Sequence, residues 1–277
     1  MAHKSSSART GRYPAQHMRG YLKTDEYTLK KGLGQHFLHD EAVCQRIVAS
    51  LSLRKGLKLL EVGPGGGALT KYLVALPGVD YRAVEIDLEK VEFLTKTYPE
   101  LQGKILHQDI LQSPPPFEEP FTVIGNFPYN ISTPILFHLL EWEGRVEEVL
   151  GMFQKEVAHR VAAGPGSKEY GIPSVGIGAY FDVEYLFDVP PEAFTPPPKV
   201  VSGVIRLKAL GNPHGIESRK RFMMVVKAAF GQRRKTLRNA LRGTLPPEAM
   251  EDTRMDKRAE QLSIADFVDL YKTWSAA

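Results

Sequence analysis

From residue 41 onward, short apolar runs alternate with longer amphipathic segments, and this alternation leaves few folds open to the chain. The runs with the composition of buried strands are 58–63, 80–87, 104–109, 121–126 and 146–153. The segments with helical periodicity are 41–51, 68–76, 89–98 and 134–142. This order predicts an α/β fold, a mostly parallel, doubly wound (Rossmann-like) sheet with helices on both faces. Two later strand-like runs, 181–189 and 200–207, have no helix between them and predict an antiparallel edge hairpin.

The chain of 277 residues is long enough for a large and a small domain. Residues 1–27 contain too few apolar side chains to pack, so we expect a flexible basic arm there. We assign 28–210 to the α/β domain. After the linker GNPHG, three further helical segments predict a small C-terminal helical domain over 211–277.

Cysteine usage and hydropathy bear on the compartment. The single cysteine, Cys44, excludes an internal disulfide framework and a cysteine-rich metal site. The eight histidines lack metal-ligand spacing, so we expect no metal. There is no apolar run of signal-peptide length in the first thirty residues and none elsewhere that could cross a bilayer, so we expect a cytoplasmic protein with no membrane partner.

Basic charge is concentrated in two parts of the chain, although the formal net charge is only +4. Residues 206–243 contain eleven Lys or Arg and one acidic residue. Residues 1–32 contain seven Lys or Arg and two acidic residues. The rest of the chain has 18 basic and 29 acidic residues. Two basic segments on an acidic body favour a polyanionic partner over a merely solvated helix face, and nucleic acid is the polyanion we expect.

The tetrapeptide Asn126-Phe127-Pro128-Tyr129 follows an apolar run that ends in Gly125. The Asn126 side-chain oxygen and the carbonyl of Phe127 can each accept one hydrogen of a nucleobase amine, which makes its nitrogen more nucleophilic. Pro128 restrains the backbone, and Tyr129 can stack on the base. These residue types indicate a methyl-acceptor site, although Asn, Pro and Gly also favour ordinary turns.

Glycines between residues 61 and 70 lie where a strand must turn sharply into a helix. Gly63 and Gly65 also satisfy a dinucleotide-binding pattern, so a nicotinamide enzyme competes on this motif alone. Glu61, Glu85 and Asp109 each stand near the end of a predicted strand, and such ends face one crevice. Three acids would repel a pyrophosphate and would welcome an amine-bearing cation, which favours S-adenosylmethionine as the cofactor.

With these residues placed, the chain resembles the small-subunit ribosomal RNA adenine dimethyltransferases, a family that includes the large-subunit enzymes of macrolide resistance. The resemblance rests on ordered blocks from residue 30 to 243: GLGQHFLHD, EVGPGGGALT, HQDIL, IGNFPYNISTPI, QKEVAHRVAAGPGSKEYG, PPEAFTPPPKVVSGVIRL and KAAFGQRRKTLRNAL. It implies dimethylation of the 6-amino groups of two adjacent adenosines near the 3′ end of small-subunit rRNA. The alternatives are a large-subunit rRNA methyltransferase, or an assembly factor whose catalysis is secondary.

The family pattern also implies roles for individual residues. Asn126, Phe127, Pro128 and Tyr129 would hold the target adenine, and Phe194 would approach its other face. The predicted cofactor contacts are Gln35, His36, Leu38, Glu61, Gly63, Gly65, Glu85, Ile86, Asp109, Ile110 and Asn126. The predicted RNA-binding residues are Arg221, Lys227, Arg233, Arg234, Lys235 and Arg238. The expected partner is the small ribosomal subunit or its rRNA, and we expect a monomer.

Three residues depart from the family pattern. His36 stands where Asn is usual, Phe127 where Leu is commoner, and Gly66 where Leu is usual. Because the mechanism uses the carbonyl of residue 127, we expect its side chain to matter little to the chemistry. The loss of a side chain at Gly66 leaves the packing beneath the glycine loop as an open question.

Overall fold

The structure, a computed structural model, describes residues 36–142 and 144–275. The predicted arm over 1–27 and the predicted cofactor contact Gln35 lie outside the described residues. The strands, in chain order, are β1 (Phe37–Leu38), β2 (Lys58–Val62), β3 (Asp80–Glu85), β4 (Ile105–His107), β5 (Phe121–Asn126), β6 (Val146–Gln154), β7 (Phe181–Val189), β8 (Phe194–Thr195) and β9 (Ser202–Ala209).

The helices follow the strands in the alternation that the sequence predicts. They are α1 (Glu41–Ala49), α2 (Thr70–Leu73), α3 (Leu88–Thr97), α4 (Ser132–Glu141), α5 (Lys155–Ala162), α6 (Ile172–Gly178), α7 (Arg219–Gly231), α8 (Leu237–Ala240) and α9 (Ile264–Ser275). Two of these helices, α5 and α6, were not predicted. Two others, α2 and α8, are shorter than expected, and a left-handed glycine, Gly243, follows α8 closely.

Seven strands form one sheet in the order β4-β3-β2-β5-β6-β9-β7. The five strands from β4 to β6 are parallel, whereas β9 runs antiparallel to both of its neighbours. The doubly wound α/β prediction is therefore confirmed, and so is the antiparallel pairing of 181–189 with 200–207. Of these two strands, only β7 lies at an edge of the sheet, because β9 is inserted between β7 and β6.

Apolar residues of alternate strand positions pack against helices on both faces of the sheet. One core joins Leu59, Ala83 and Ile124 to residues of α1 and α3. The other core joins Leu60 and Val123 to residues of α4 and α5. This division follows from the period of two along a strand, since successive side chains point to opposite faces.

A third core lies among the C-terminal helices and includes Phe222, Leu237 and Phe267. Tyr170 and Val175, which precede residue 211, pack in the same core. The boundary at residue 210 remains a prediction. Among helices of the described residues, none is long and apolar enough to cross a membrane.

A small second sheet brings two distant segments together. In it β1 pairs antiparallel with β8, with Phe37 opposite Thr195 and Leu38 opposite Phe194. This pairing holds residues 36–38 against the proline-rich loop between β7 and β9. It places them beside the carboxyl ends of the parallel strands, where the pocket lies.

Candidate active site

A pocket opens at the carboxyl ends of the parallel strands, as expected for this fold. Thirteen predicted site residues line it: His36, Leu38, Glu61, Gly63, Gly65, Glu85, Ile86, Asp109, Ile110, Asn126, Phe127, Pro128 and Tyr129. The cofactor and base-binding residues predicted from separate motifs thus share one cavity. Their individual roles remain predictions.

The glycine loop after β2 is held by the acid at the end of β3. Gly63 and Gly65 have φ of 65° and 56°, a left-handed conformation that glycine adopts without strain. The Gly65 amide donates to Glu85 Oε2 at 3.0 Å, and the Asp87 amide donates to Oε1 at 3.0 Å. Glu85 is therefore oriented by two backbone donors, and its remaining lone pairs are available to ligand hydroxyls.

Glu61 lies at the inner wall of the pocket and is 2% exposed. Its Oε2 accepts hydrogen bonds from Thr70 Oγ1 at 2.8 Å and from the Tyr81 hydroxyl at 2.6 Å. Burial raises the pKa of the Glu61 carboxyl to about 7, although the two hydrogen bonds act in the opposite direction. A cationic ligand group beside Glu61 would stabilise its charged form.

Asp109 follows β4 and lines the pocket, as do Ile86 and Ile110. Its Oδ1 accepts from the Leu111 amide at 2.9 Å, which caps a short 3-10 turn and fixes the carboxylate. Ile86 is 51% exposed, whereas Ile110 is buried. An exposed isoleucine beside a fixed carboxylate suits a flat, amine-bearing ring, because the ring would cover the apolar surface.

Asn126 ends β5, and its side-chain amide is oriented by the neighbouring segment. Asn126 Nδ2 donates to the carbonyl oxygen of His36 at 3.2 Å, an assignment of nitrogen and oxygen that follows from the acceptor. No described residue donates to Oδ1, so this oxygen can accept a hydrogen from a ligand. The Phe127 amide donates to Met152 O at 3.3 Å, which fixes the backbone of the next residue.

The Phe127 side chain is buried against glycines of two adjacent strands. A Cβ at Gly125 would lie 3.0 Å from the Phe127 ring, and one at Gly151 would lie 2.5 Å from it. The ring also packs against Phe153, with centroids 5.0 Å apart. The phenyl group therefore occupies space that these glycines leave open, which explains how this chain accommodates Phe where Leu is commoner.

Tyr129 lies at the mouth of the pocket beside the imidazole of His36. The two rings are stacked with centroids 5.4 Å apart and an interplanar angle of 29°. The Tyr129 hydroxyl bonds Ser202 Oγ, and burial raises the pKa of Tyr129. His36 Nδ1 lies 2.9 Å from Pro196 O, and because a carbonyl only accepts, this nitrogen carries the hydrogen.

Phe194 does not line the pocket in the part of the chain that the structure describes. It is 2% exposed and packs in the core beneath Leu38, its partner in the β1–β8 pair. Contact of Phe194 with a bound base remains a prediction and requires a rearrangement of this loop. The Gly66 question has an answer: a Cβ there would lie 2.4 Å from Phe37 Cε2, so the Phe37 ring fills the space.

The sequence analysis missed three polar residues that line the pocket, Lys90, Gln108 and Asn130. Lys90 is buried in α3, with Nζ 4.0 Å from Asp87 Oδ2. Its position in the first turn of the helix after β3 was the available signal, because that turn adjoins the strand end. Within the described ranges, the structure contains no group of three or more His, Cys, Asp or Glu that could hold a metal ion.

Five of the six predicted RNA-binding residues are exposed. Arg221 and Lys227 lie on α7, and Arg233, Arg234 and Lys235 lie in the segment before α8. Three of the six make side-chain contacts within the protein, and one of these is Arg221, whose guanidinium carbon lies 5.8 Å from the centroid of the Trp274 ring. Arg238 Nη2 lies 2.9 Å from Asp256 Oδ1, and Arg233 donates to Lys168 O. Whether these residues bind RNA remains a prediction.

Comparison with known proteins gives consistent results. A family model described as ribosomal RNA adenine dimethylase matches residues 27–275. Ribosomal RNA small subunit methyltransferase A of Cytophaga hutchinsonii is 50% identical over 245 residues, which cover 87% of this chain and 95% of that protein.

Two crystal structures share the fold. A dimethyladenosine transferase from Plasmodium falciparum gives a TM-score of 0.73 at 21% identity, covering 85% of this chain and 96% of that chain. The 23S rRNA methyltransferase ErmE gives a TM-score of 0.61 at 24% identity, covering 86% of this chain and 99% of that chain. The family match extends over the pocket and the C-terminal helices alike. The chain therefore belongs to the ribosomal RNA adenine dimethylase family.

Proposed function

We propose that this enzyme transfers methyl groups from S-adenosylmethionine to the 6-amino groups of two adjacent adenosines near the 3′ end of small-subunit rRNA. The observation that carries the proposal is the Asn126 side chain. Its Nδ2 donates to His36 O, no described residue donates to its Oδ1, and Asn126 lines the same pocket as Glu85 and Asp109. The 50% identity to a protein named for the small subunit supports that substrate over the large-subunit alternative.

The pocket has features that fit the cofactor. Backbone turns at Gly63 and Gly65 leave room for close approach of a ligand, and Glu85 offers acceptors to ribose hydroxyls. Asp109 would accept from the adenine amine of the cofactor, with Ile86 against the ring. Glu61 would lie near cationic groups. When bound, S-adenosylmethionine supplies an electrophilic methyl group on a positively charged sulfur.

The residues of this chain would act on the target by placement. Asn126 Oδ1 and the carbonyl oxygen of Phe127 each accept one hydrogen of the adenine amine, which directs the nitrogen lone pair away from the ring and toward the methyl carbon. Tyr129 stacks on the base and sets its plane. As the new carbon–nitrogen bond forms, the methyl group would leave the sulfur, which would keep the bonding electron pair, and the methylated nitrogen would then release one proton to water. No strong base is needed, because positioning and electrostatic placement supply the catalysis.

The second methyl transfer makes a further demand on the same acceptors. A monomethylated amine has one hydrogen left, so only one of the two oxygens is used in the second step. The target adenosines must also leave their stack to reach the pocket, which costs a few kcal/mol. Phosphate contacts from exposed basic residues such as Arg234 and Lys235 would supply binding energy that offsets this cost. A ribosomal substrate would place the enzyme in a compartment that contains ribosomes.

The experiment is Asn126→Ala, assayed with unmethylated small subunits and with calorimetry of cofactor binding. We expect methyl transfer to be abolished, because the amine loses one acceptor, and cofactor binding to be weakened but retained. Retained cofactor binding is the internal control for an intact fold. Near-normal turnover of the variant would refute the assigned role of Asn126.

A further inference from the structure

His36 makes three contacts at the side of the pocket where the target base is expected. Its imidazole ring is stacked with the ring of Tyr129, with centroids 5.4 Å apart, a separation typical of aromatic pairs. Its Nδ1 donates to Pro196 O at 2.9 Å, and its carbonyl oxygen accepts from Asn126 Nδ2 at 3.2 Å. His36, Asn126 and Tyr129 all line the pocket. One residue therefore touches both side chains that are assigned to hold the adenine.

The imidazole is restrained through both its ring and its backbone. The hydrogen bond to Pro196 O orients the ring from the proline-rich loop. The backbone is held because the next residue, Phe37, pairs with Thr195 between β1 and β8. A ring whose orientation is fixed in this way can act as a support for a neighbouring ring.

Tyr129 needs such a support, because its other contact does not fix the plane of its ring. Its hydroxyl bonds Ser202 Oγ, and Ser202 is fully buried. The hydroxyl oxygen lies on the long axis of the ring, so this hydrogen bond holds the tip of the side chain and still permits rotation about that axis. The imidazole of His36 lies against one face of the ring, with an interplanar angle of 29°, and opposes this rotation.

The plane of Tyr129 matters because the two amine acceptors are themselves held in place. The Asn126 amide is oriented by His36 O, and the backbone of Phe127 is fixed by its hydrogen bond to Met152 O. Only one plane of the adenine allows its amine to meet both oxygens. With one face of Tyr129 covered by His36, the base stacks on the other face, and a tilted Tyr129 would turn the nitrogen lone pair away from the methyl carbon.

We propose that His36 is a positioning residue for methyl transfer, whose imidazole sets the plane of Tyr129 and thereby the plane in which the target adenine is held. The inference rests on the proposed function. It concerns the side chain alone, since a cofactor contact made by the backbone of residue 36 would be kept in every variant. The Asn that is usual at this position in the family would supply no ring.

The test compares His36→Asn and His36→Phe with the control His39→Ala. Asn keeps a donor near the position of Nδ1 and lacks the ring, whereas Phe keeps a ring and lacks the donor. The bond to Pro196 O is exposed, so water can replace the donor in His36→Phe. His39 lies three residues later, is exposed and is not among the residues that line the pocket. We measure the single-turnover rate of methyl transfer to unmethylated small subunits, the Kd for subunits, and the Kd for cofactor by calorimetry.

We expect His36→Asn to slow methyl transfer about two- to tenfold, the range for loss of one aromatic pair. Both Kd values should stay unchanged, because the side chain acts on the orientation of the base and phosphate contacts supply most of the affinity. His36→Phe should remain close to the wild type, and His39→Ala should equal it. Adding His36→Asn to Tyr129→Leu should cause no further loss, because His36 acts through Tyr129.

Four results would overturn the inference. A raised cofactor Kd with an unchanged rate for His36→Asn would make the side chain a cofactor contact. Faster transfer by His36→Asn would show that the ring obstructs the base. Equal losses in His36→Asn and His36→Phe would assign the effect to the hydrogen bond and not to the ring. Additive losses in the double variant would show that His36 does not act through Tyr129.

A second measurement does not require methyl transfer. A hairpin RNA carries 2-aminopurine, a fluorescent adenine analogue without the 6-amino group, at the target position, and stacking on an aromatic ring quenches its fluorescence. At saturation we expect lower fluorescence with the wild type and His36→Phe than with His36→Asn. Equal fluorescence in the three complexes would overturn the inference. If the wild type transfers no methyl group and the quenching still depends on the ring at residue 36, the proposed function is refuted and this inference stands.

Discussion

The buried carboxyl of Glu61 predicts a pH dependence of stability that one substitution should remove. Burial raises the pKa of Glu61 from an ordinary 4.5 to about 7 in the folded protein. Between these values the folded state holds a proton that the unfolded state has lost. Stability from this group is therefore fully present below about pH 4.5 and is lost as the pH rises through about 7.

The magnitude follows from the shift in pKa. A difference of about 2.5 pKa units corresponds to about 3 kcal/mol in the free energy of unfolding. Glu61→Gln removes the titration and can still accept from Thr70 and Tyr81 through its amide oxygen. We expect the variant to gain up to about 3 kcal/mol relative to the wild type between pH 4.5 and pH 8, because only the wild type pays for a buried charge at the higher pH.

The assay is urea unfolding without cofactor at several pH values, with the difference between the two proteins taken at each pH so that other titrating groups cancel. Tyr81→Phe is the second variant. This variant loses a hydrogen bond that lowers the pKa of Glu61. The pH at which its stability falls should therefore be higher than in the wild type. A stability difference between Glu61→Gln and wild type that does not vary with pH would refute the reasoning.

Two further predictions concern packing and RNA binding. Gly151→Ala places a Cβ 2.5 Å from the Phe127 ring, so we expect the free energy of unfolding in urea to fall by about 1–3 kcal/mol. Adding Phe127→Leu should restore part of this loss. Unchanged stability of Gly151→Ala would contradict the prediction. Replacing Arg234 and Lys235 with Ala should flatten the slope of log affinity for rRNA against log salt by about two, measured by titration. Arg238→Ala should leave that slope unchanged, because Arg238 is already ion-paired within the protein. If Arg238→Ala and the double replacement of Arg234 and Lys235 change the slope equally, the assignment of the RNA-binding surface to Arg234 and Lys235 is wrong.

Much of the pocket was predictable because parallel strands end at one edge of a sheet. Glu61, Glu85 and Asn126 each stand at a strand end, so their convergence follows from the strand order alone. The orientation of each side chain was not predictable. The amide of Asn126 is oriented by His36, ninety residues earlier, through a contact that no local pattern encodes.

The burial of Phe194 has the same kind of cause. It depends on the pairing of Leu38 with Phe194, two segments of two residues each that are too short to show strand periodicity. The family resemblance implied that Phe194 of this loop approaches the base, but the sequence did not show that this pairing buries its side chain in the core. Only the three-dimensional pairing decides this.

Helix α6 was missed because its composition opposes a helical prediction. Its sequence, IPSVGIG, contains two glycines, which lower helix propensity. Packing explains the glycine at 176, where a Cβ would lie 2.9 Å from Phe137 and 3.0 Å from Met223. The close approach of neighbouring helices outweighs local propensity here, and a single sequence does not reveal such contacts.

The measurement that tests the central claim most directly is transfer of labelled methyl groups from S-adenosylmethionine to separated, unmethylated small and large ribosomal subunits, with nucleoside analysis of the product. The account predicts dimethyladenosine from the small subunit alone. Label in the large subunit would contradict the assigned substrate, and tight subunit binding with no label in either would contradict a catalytic role and favour an assembly factor.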